Sequence, residues 1–318
     1  MGKAMRLVDR IGRRIKLHDL HVLMTVVQAG SMSKAAAMLN TGQSAISRSV
    51  AELEYALGVR LLERGSQGIA PTEYGRALLD GGTAAFDDLK QAVKNIEFLT
   101  DPTVGDVGVG CNPFLAASFV SAIIGRMSLD NPGITCRLET GYVEQLDRQL
   151  ENRNVDLLIT RPTRSIAGEK VNYEILFEDS YSFAVGAGHR WAKRRKIGLS
   201  ELMDQSWVLP TPGSSTGIVA MNAFRKIGRG YPAKTVIVDL FAVRISLLLT
   251  GQFISIFPDS VLRFSPIGAN LKVLKTSLTL GRMSVGIVTL KNRAIRPPVQ
   301  TFIDTCREVA RRADKNAT

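Results

Sequence analysis

Gln43, Ser44, Ser47 and Arg48 cluster at the start of a predicted helix, off its apolar stripe of Ile46, Val50, Leu53 and Leu57. An amide side chain pairs with adenine, a guanidinium with guanine or a phosphate, and a hydroxyl with either. That set at a helix N-terminus is chemistry for reading the DNA major groove. Ser33, in the helix before it, joins the candidate contacts. The competing reading is a three-helix packing unit with a polar surface. Chemistry of other kinds is not evident: the sequence contains no GxSxG, no glycine-rich phosphate loop, no metal-ligand cluster and no acid–base pair. An enzyme is therefore not expected, nor a metal or cofactor.

The elements that must position these residues are readable from spacing. Leu17–Ala29 places Leu17, Leu20, Leu23, Met24 and Val27 on one helical face, and Gly30 is a C-cap candidate. Ser31 or Ser33 can cap a second helix ending near Leu39, and Ala35, Ala36 and Ala37 allow close packing. Asn40 suits a left-handed turn, Gly42 adds freedom, and Thr41 is the expected cap of the helix Gln43–Leu57. Gly58–Thr72 reads as strand, turn and strand: a wing whose Arg60 and Arg64 can reach phosphates or the minor groove. Thr72 then caps a long helix, about Glu73–Leu99. Its Tyr74, Leu78, Phe86, Leu89, Val93 and Ile96 keep a three/four spacing suited to a dimer seam. Gly81-Gly82 is expected to weaken or bend it.

Bulk properties agree with a polyanionic partner. The 318 residues suggest two or three domains, and the net charge is +12. Only part of that charge lies where DNA would be met: Met1–Arg64 carries +5, Gly65–Val104 carries −3 and the remainder +10. An anionic ligand is one account of the last figure. Solvated surface around Arg190–Lys196 is the plainer one. Cys111, Cys136 and Cys306 are widely spaced, so a reducing cytoplasm is expected. No export signal or membrane-length apolar run is read. Residues 1–16 read as a flexible basic arm.

Several segments in order carry a resemblance. Leu17-His-Asp-Leu-His-Val-Leu23, Gly30–Asn40, Gln43-Ser-Ala-Ile-Ser-Arg48, Leu53–Arg64 and Pro71-Thr-Glu-Tyr-Gly75 together resemble the LysR-type transcriptional regulators. The match is close over residues 17–100. Ser44 stands where that family often has proline, and Gln67 where a wing arginine is frequent, which implies fewer phosphate contacts. The resemblance implies a winged helix-turn-helix at 17–72, a linker and dimerisation helix at 73–100, and an effector domain at 105–318. It also implies a dimer of dimers on double-stranded DNA, with RNA polymerase as a further possible partner.

Beyond a hinge at Asp101–Gly105, strands and helices alternate, which predicts parallel sheet covered by helices. Two α/β lobes are expected, lobe 1 over 105–178 and 281–318 and lobe 2 over 179–280. The family resemblance implies an effector domain like the periplasmic solute-binding proteins. Ligands in such sheets bind at strand carboxyl ends and helix N-termini. That selects Asn112, Pro113 and Phe114; Thr140 and Gly141; Thr160 and Arg161; Thr211, Ser214 and Ser215; and Phe257. Arg161 suits a carboxylate or a surface ion pair; Ser214 and Ser215 suit a carboxylate or plain capping. Cys111 reads as a small buried hydrophobe. The expected protein is a ligand-responsive regulator of a pseudo-palindromic promoter site, switched by an organic anion or, next, a sugar in the interlobe cleft. A solute-binding module or an α/β enzyme without DNA function is the alternative.

Overall fold

The computed structural model describes residues 7–65, 68–161 and 170–315. The chain divides into two compact units, Met1–Val93 and Lys94–Thr318.

The first unit contains α1 (Leu17–Ala29), α2 (Met32–Met38), α3 (Gln43–Leu57), a hairpin of β1 (Leu62–Gly65) and β2 (Gly68–Pro71), and most of α4 (Glu73–Thr100). Its core joins Val22 and Val26 of α1 to Ala35 and Ala36 of α2 and to Ile46 and Val50 of α3. The small alanines let the helices approach closely. The inward face of α1 thus includes Val22 and Val26, while Leu17 is exposed. Gly30 ends α1 in the left-handed conformation, and Asn40 adopts it in the following turn (φ 48°).

Two local expectations change. Ser31 Oγ caps α2, but α3 starts at Gly42 with no side-chain cap, so Thr41 does not serve. The helix α4 continues through Gly81-Gly82. A Cβ on Gly82 would come within 2.9 Å of Leu20, so this glycine admits α1 against α4 rather than breaking it. The segment read as a basic arm is described from Leu7 onward. Leu7–Arg10 is a 3-10 turn, Arg10 Nη1 donates to the Ala56 carbonyl at 2.5 Å, and Ile15 packs on the Leu23–Leu53–Leu61 cluster.

The second unit carries β3 (Gly105–Cys111), β4 (Ile134–Thr140), β5 (Leu157–Thr160), β6 (Val171–Gly186), β7 (Ser206–Leu209), β8 (Thr235–Ile237), β9 (Phe253–Pro258), β10 (Leu271–Val273) and β11 (Arg282–Leu290). The strand order is β4-β3-β5-β11-β6-β9-β7-β8, with β10 on β6. Two lobes share β6. Its Val171–Ser180 stretch pairs with β11, and Tyr181–Val185 pairs with β9. Parallel pairing holds within β3–β5 and within β7–β9, but β6 and β11 run antiparallel to their neighbours. The purely parallel expectation fails because a strand crossing between lobes enters each sheet from its opposite end. The registers of β6 with β9 and of β11 with β5 turn the carboxyl ends of both parallel sets toward the crossing.

The turn after α4 is a hydrogen-bonded one: Asp101 Oδ1 accepts from Thr103 N and Oγ1. Asp106, at the start of β3, takes Lys94 Nζ at 2.8 Å and Arg296 Nη1 at 3.2 Å; Arg296 also reaches Asp156 at 3.2 Å. Burial raises the Asp106 carboxyl, but the Lys94 hydrogen bond and the Arg296 and Lys94 charges outweigh it, and the net shift is downward. Its contribution is therefore present above the unfolded carboxylate range and lost as pH falls through the folded value. Asp106→Asn is expected to destabilise the chain by about 1–3 kcal/mol at neutral pH, because Arg296 is buried and loses a charged partner. Urea unfolding of both proteins checks this, and the gap should narrow below about pH 4.

Candidate nucleic-acid interface and interlobe site

Ile46, Val50 and Leu53 lock one face of α3 into the core. This leaves Gln43, Ser44, Ser47 and Arg48 exposed at the N-terminal end of the opposite face, with Ser33 exposed on α2. The wing is pinned from both sides. Glu54 Oε1 accepts from Leu61 N at 2.7 Å and Leu62 N at 3.2 Å, and Ile69 N donates to the Gly30 carbonyl at 3.0 Å. Thr72 Oγ1 donates to the Arg60 carbonyl and caps α4 through Gly75 N. Arg60 is exposed at the base of the hairpin. The Arg64 side chain and Gln67 lie outside the described residues. Along α4, Leu78 joins the domain core and Phe86 meets His21, whereas Tyr74, Leu89, Val93, Ile96 and Leu99 are exposed.

In the second unit, Cys111, Thr140 and Thr160 end three adjacent parallel strands on the edge facing the crossing. Gly141 N donates to the Cys111 carbonyl at 3.3 Å, which brings the first two of these turns together. Asn112 Oδ1 caps the following helix through Phe114 N and Leu115 N, with Pro113 at its first turn. Thr140 is exposed and Thr160 buried. On the lobe 2 edge, Thr211 donates to Asp239 through N at 2.9 Å and Oγ1 at 2.5 Å. Ser214 caps the helix Ser215–Arg225 through Gly217 N, so its hydroxyl is used in capping; Ser215 is exposed. Phe257 is fully buried, in the lobe 2 core. Phe114 meets Phe241 edge-on at 5.4 Å, a contact between the lobes.

Arg161 is not a free cation. Its Nη2 lies 3.1 Å from Asp179 Oδ2, its Nη1 donates to the Tyr181 hydroxyl, and its guanidinium carbon is 5.0 Å from the Tyr181 ring centroid. Asp179 has no exposure and also accepts from Ser260 N at 2.9 Å and Ser260 Oγ at 2.8 Å. Sequence reasoning misses Asp179, Tyr181 and Ser260. It also misses Arg244, although a single charge in the apolar helix Phe241–Leu249 is a visible signal. Burial pushes the Cys111 thiol up to about 12 and the Cys306 thiol well above its ordinary value, so both stay protonated near neutrality. The Arg190–Lys196 run is solvated surface, with Arg190 and Arg194 stacked on Trp191.

The LysR substrate binding domain model matches residues 100–311, and that of the bacterial regulatory helix-turn-helix protein, lysR family, matches residues 17–76. The chain belongs to the LysR family. Among its relatives, the transcriptional dual regulator GltC of Bacillus subtilis (strain 168) is 27% identical over 91% of this chain and 96% of its own. The regulator PcaQ of Agrobacterium fabrum is 25% identical over 94% and 96%. A full-length OxyR variant from Pseudomonas aeruginosa shares the fold at a TM-score of 0.61 and 20% identity, covering 93% of this chain and 96% of that one. CbnR, a LysR family transcriptional regulator, does so at 0.59 and 18%, covering 93% and 99%. This LysR-family chain is thus a transcriptional regulator with a DNA-binding and an effector-binding domain, not an enzyme. No helix among its described residues is long and apolar enough to cross a membrane.

Asp179→Asn in this regulator strands the buried Arg161 charge and is expected to cost about 3–5 kcal/mol. Adding Arg161→Met should recover part of that loss. Chemical denaturation of the two variants tests it; equal stability of Asp179→Asn and the parent would show the pair to be inessential.

Proposed function

We propose that this regulator reads a pseudo-palindromic promoter site with α3 and changes its DNA-bound arrangement when a small molecule binds between the effector lobes. The observation that carries the first half is the polar N-terminal face of α3, where Gln43, Ser44, Ser47 and Arg48 are exposed opposite a locked apolar face. Gln43 and Arg48 are the base readers; Ser33, Ser44 and Ser47 supplement them, and Arg60 and Arg64 hold phosphates. The exposed Leu89, Val93 and Ile96 of α4 support a self-pairing seam, consistent with a dimer that pairs again into a tetramer.

The second half rests on the convergence of two carboxyl strand edges on one crossing, with Asn112, Phe114, Thr140, Gly141 and Thr160 on one side and Thr211, Ser215 and Phe257 on the other. A ligand that favours one arrangement of the lobes shifts the population toward it. An organic anion suits the basic effector domain; a sugar is the second choice. The proposed setting is the cytoplasm, with RNA polymerase as the downstream partner at the promoter.

Sites selected from random duplex DNA by the full-length protein provide the test. Arg48→Ala should weaken binding to the selected site by about 1–3 kcal/mol and relax the preference at one position. Arg60→Ala should weaken all sequences alike and reduce the salt dependence by about one unit of slope. Unchanged site affinity and preference in Arg48→Ala would remove α3 as the reading element.

A further inference from the structure

Among its described residues, the effector domain buries one arginine that makes no salt bridge. Arg244 has no exposed surface, and the rest of its helix, Phe241–Leu249, is uncharged. Nη2 donates to Ser255 Oγ at 3.0 Å and to the Ile256 carbonyl. Nε and Nη1 have no hydrogen-bond partner among the described residues. Asp239, exposed and hydrogen-bonded through both oxygens to Thr211, attracts the group through space and makes no salt bridge with it. Burial lowers the Arg244 guanidinium to about 10, so it remains a cation near neutrality.

Its surroundings come from both lobes. The guanidinium carbon lies 4.6 Å from the ring centroid of Phe257 in lobe 2 and 5.6 Å from that of Phe114 in lobe 1. Ring faces offset part of the desolvation of a cation, but they do not satisfy its unpaired N–H groups. A buried charge in this condition is unfavourable unless an anion meets it. Because Phe114 belongs to the opposite lobe, parting the lobes removes that ring from the guanidinium.

We propose that Arg244 is the anion receptor of the interlobe site and takes the carboxylate of a small monoanionic acid with an apolar body. This rests on the reading that a small molecule binds between the lobes. The charge class follows from which groups are already compensated. Arg161 is matched by Asp179, which leaves Arg244 to neutralise a ligand, and it neutralises a single charge. A phosphate ester or a dicarboxylate would bring a second charge into a buried site. The apolar body follows from the rings of Phe114, Phe241 and Phe257 around the guanidinium and its helix.

Thermal melting of the full-length protein tests this with benzoate, phenylacetate and hexanoate, the three corresponding amides, inorganic phosphate and galactose. At least one monocarboxylate should raise the melting temperature by about 5 °C near saturation, while its amide and phosphate do not. Arg244→Met should abolish that shift and Arg244→Lys keep part of it. Without ligand, Arg244→Met should melt at or above the parent, because an apolar chain replaces an uncompensated charge. An equal shift in Arg244→Met, an equally effective amide, or a panel with no active monocarboxylate overturns the assignment. A ligand-free Arg244→Met that melts well below both the parent and Arg244→Lys overturns it too, by showing a structural role. Galactose stabilising both parent and Arg244→Met while the acids stabilise neither would leave the interlobe reading standing and remove the anion from it.

Discussion

The Asp179 carboxylate is the point on which the two effector lobes are hung. It sits on β6 where that strand passes from β11 to β9, and it takes Arg161 from lobe 1 and Ser260 from lobe 2 as partners. Arg161 comes from the end of β5 in lobe 1, and Ser260 from the helix that follows β9 in lobe 2. A buried pair of this kind adds little net stability, because desolvating two charges cancels most of their attraction. Its effect is on geometry. Both oxygens are engaged with good partners, so a displacement of either lobe at this point leaves a charge or a donor unmatched.

A second charged cluster stands at the opposite end of β3. Asp106 holds Lys94 from α4 and Arg296 from the segment before the final helix, and Arg296 continues to Asp156 beside β5. The seven residues of β3 therefore have one end on the interlobe edge, at Cys111, and the other clamped to α4. Between those ends Val107, Val109 and Cys111 are fully buried in the lobe 1 core. Close-packed strands transmit displacement rather than absorb it. One end of β3 is thus at the interlobe edge, and the other is bonded to Lys94 of α4.

The DNA-binding half was largely legible because its signals are local. The four-three spacing of Ile46, Val50 and Leu53 placed Gln43 and Arg48 on the free face of α3, and Asn40 and Gly30 announced their turns. What escaped there depended on contacts between elements. The second row of α1, Val22 and Val26, is buried because α2 and α3 cover it, and Gly82 has the look of a helix breaker until Leu20 is seen against it. In the effector domain, β6 holds the fully buried Asp179, which interrupts the apolar alternation by which a strand is recognised.

The two interlobe arginines show why residue type alone misleads at such a site. Arg161 follows a buried strand and stands where a ligand group is expected, so sequence position favours it as the anion receptor. Its charge is nevertheless matched by a residue 18 positions later, on a strand the pattern did not reveal. Arg244 stands within an apolar helix, where position suggests only packing. Yet it is the one without a salt bridge, and it has two nitrogens unmatched at zero exposure where Arg161 has one. What separates the two is not location, since both side chains contact rings or chains near the crossing, but whether a carboxylate of the protein already fills the guanidinium's need. That question is decided by tertiary contacts, and it inverts the order in which the two residues would be chosen from sequence.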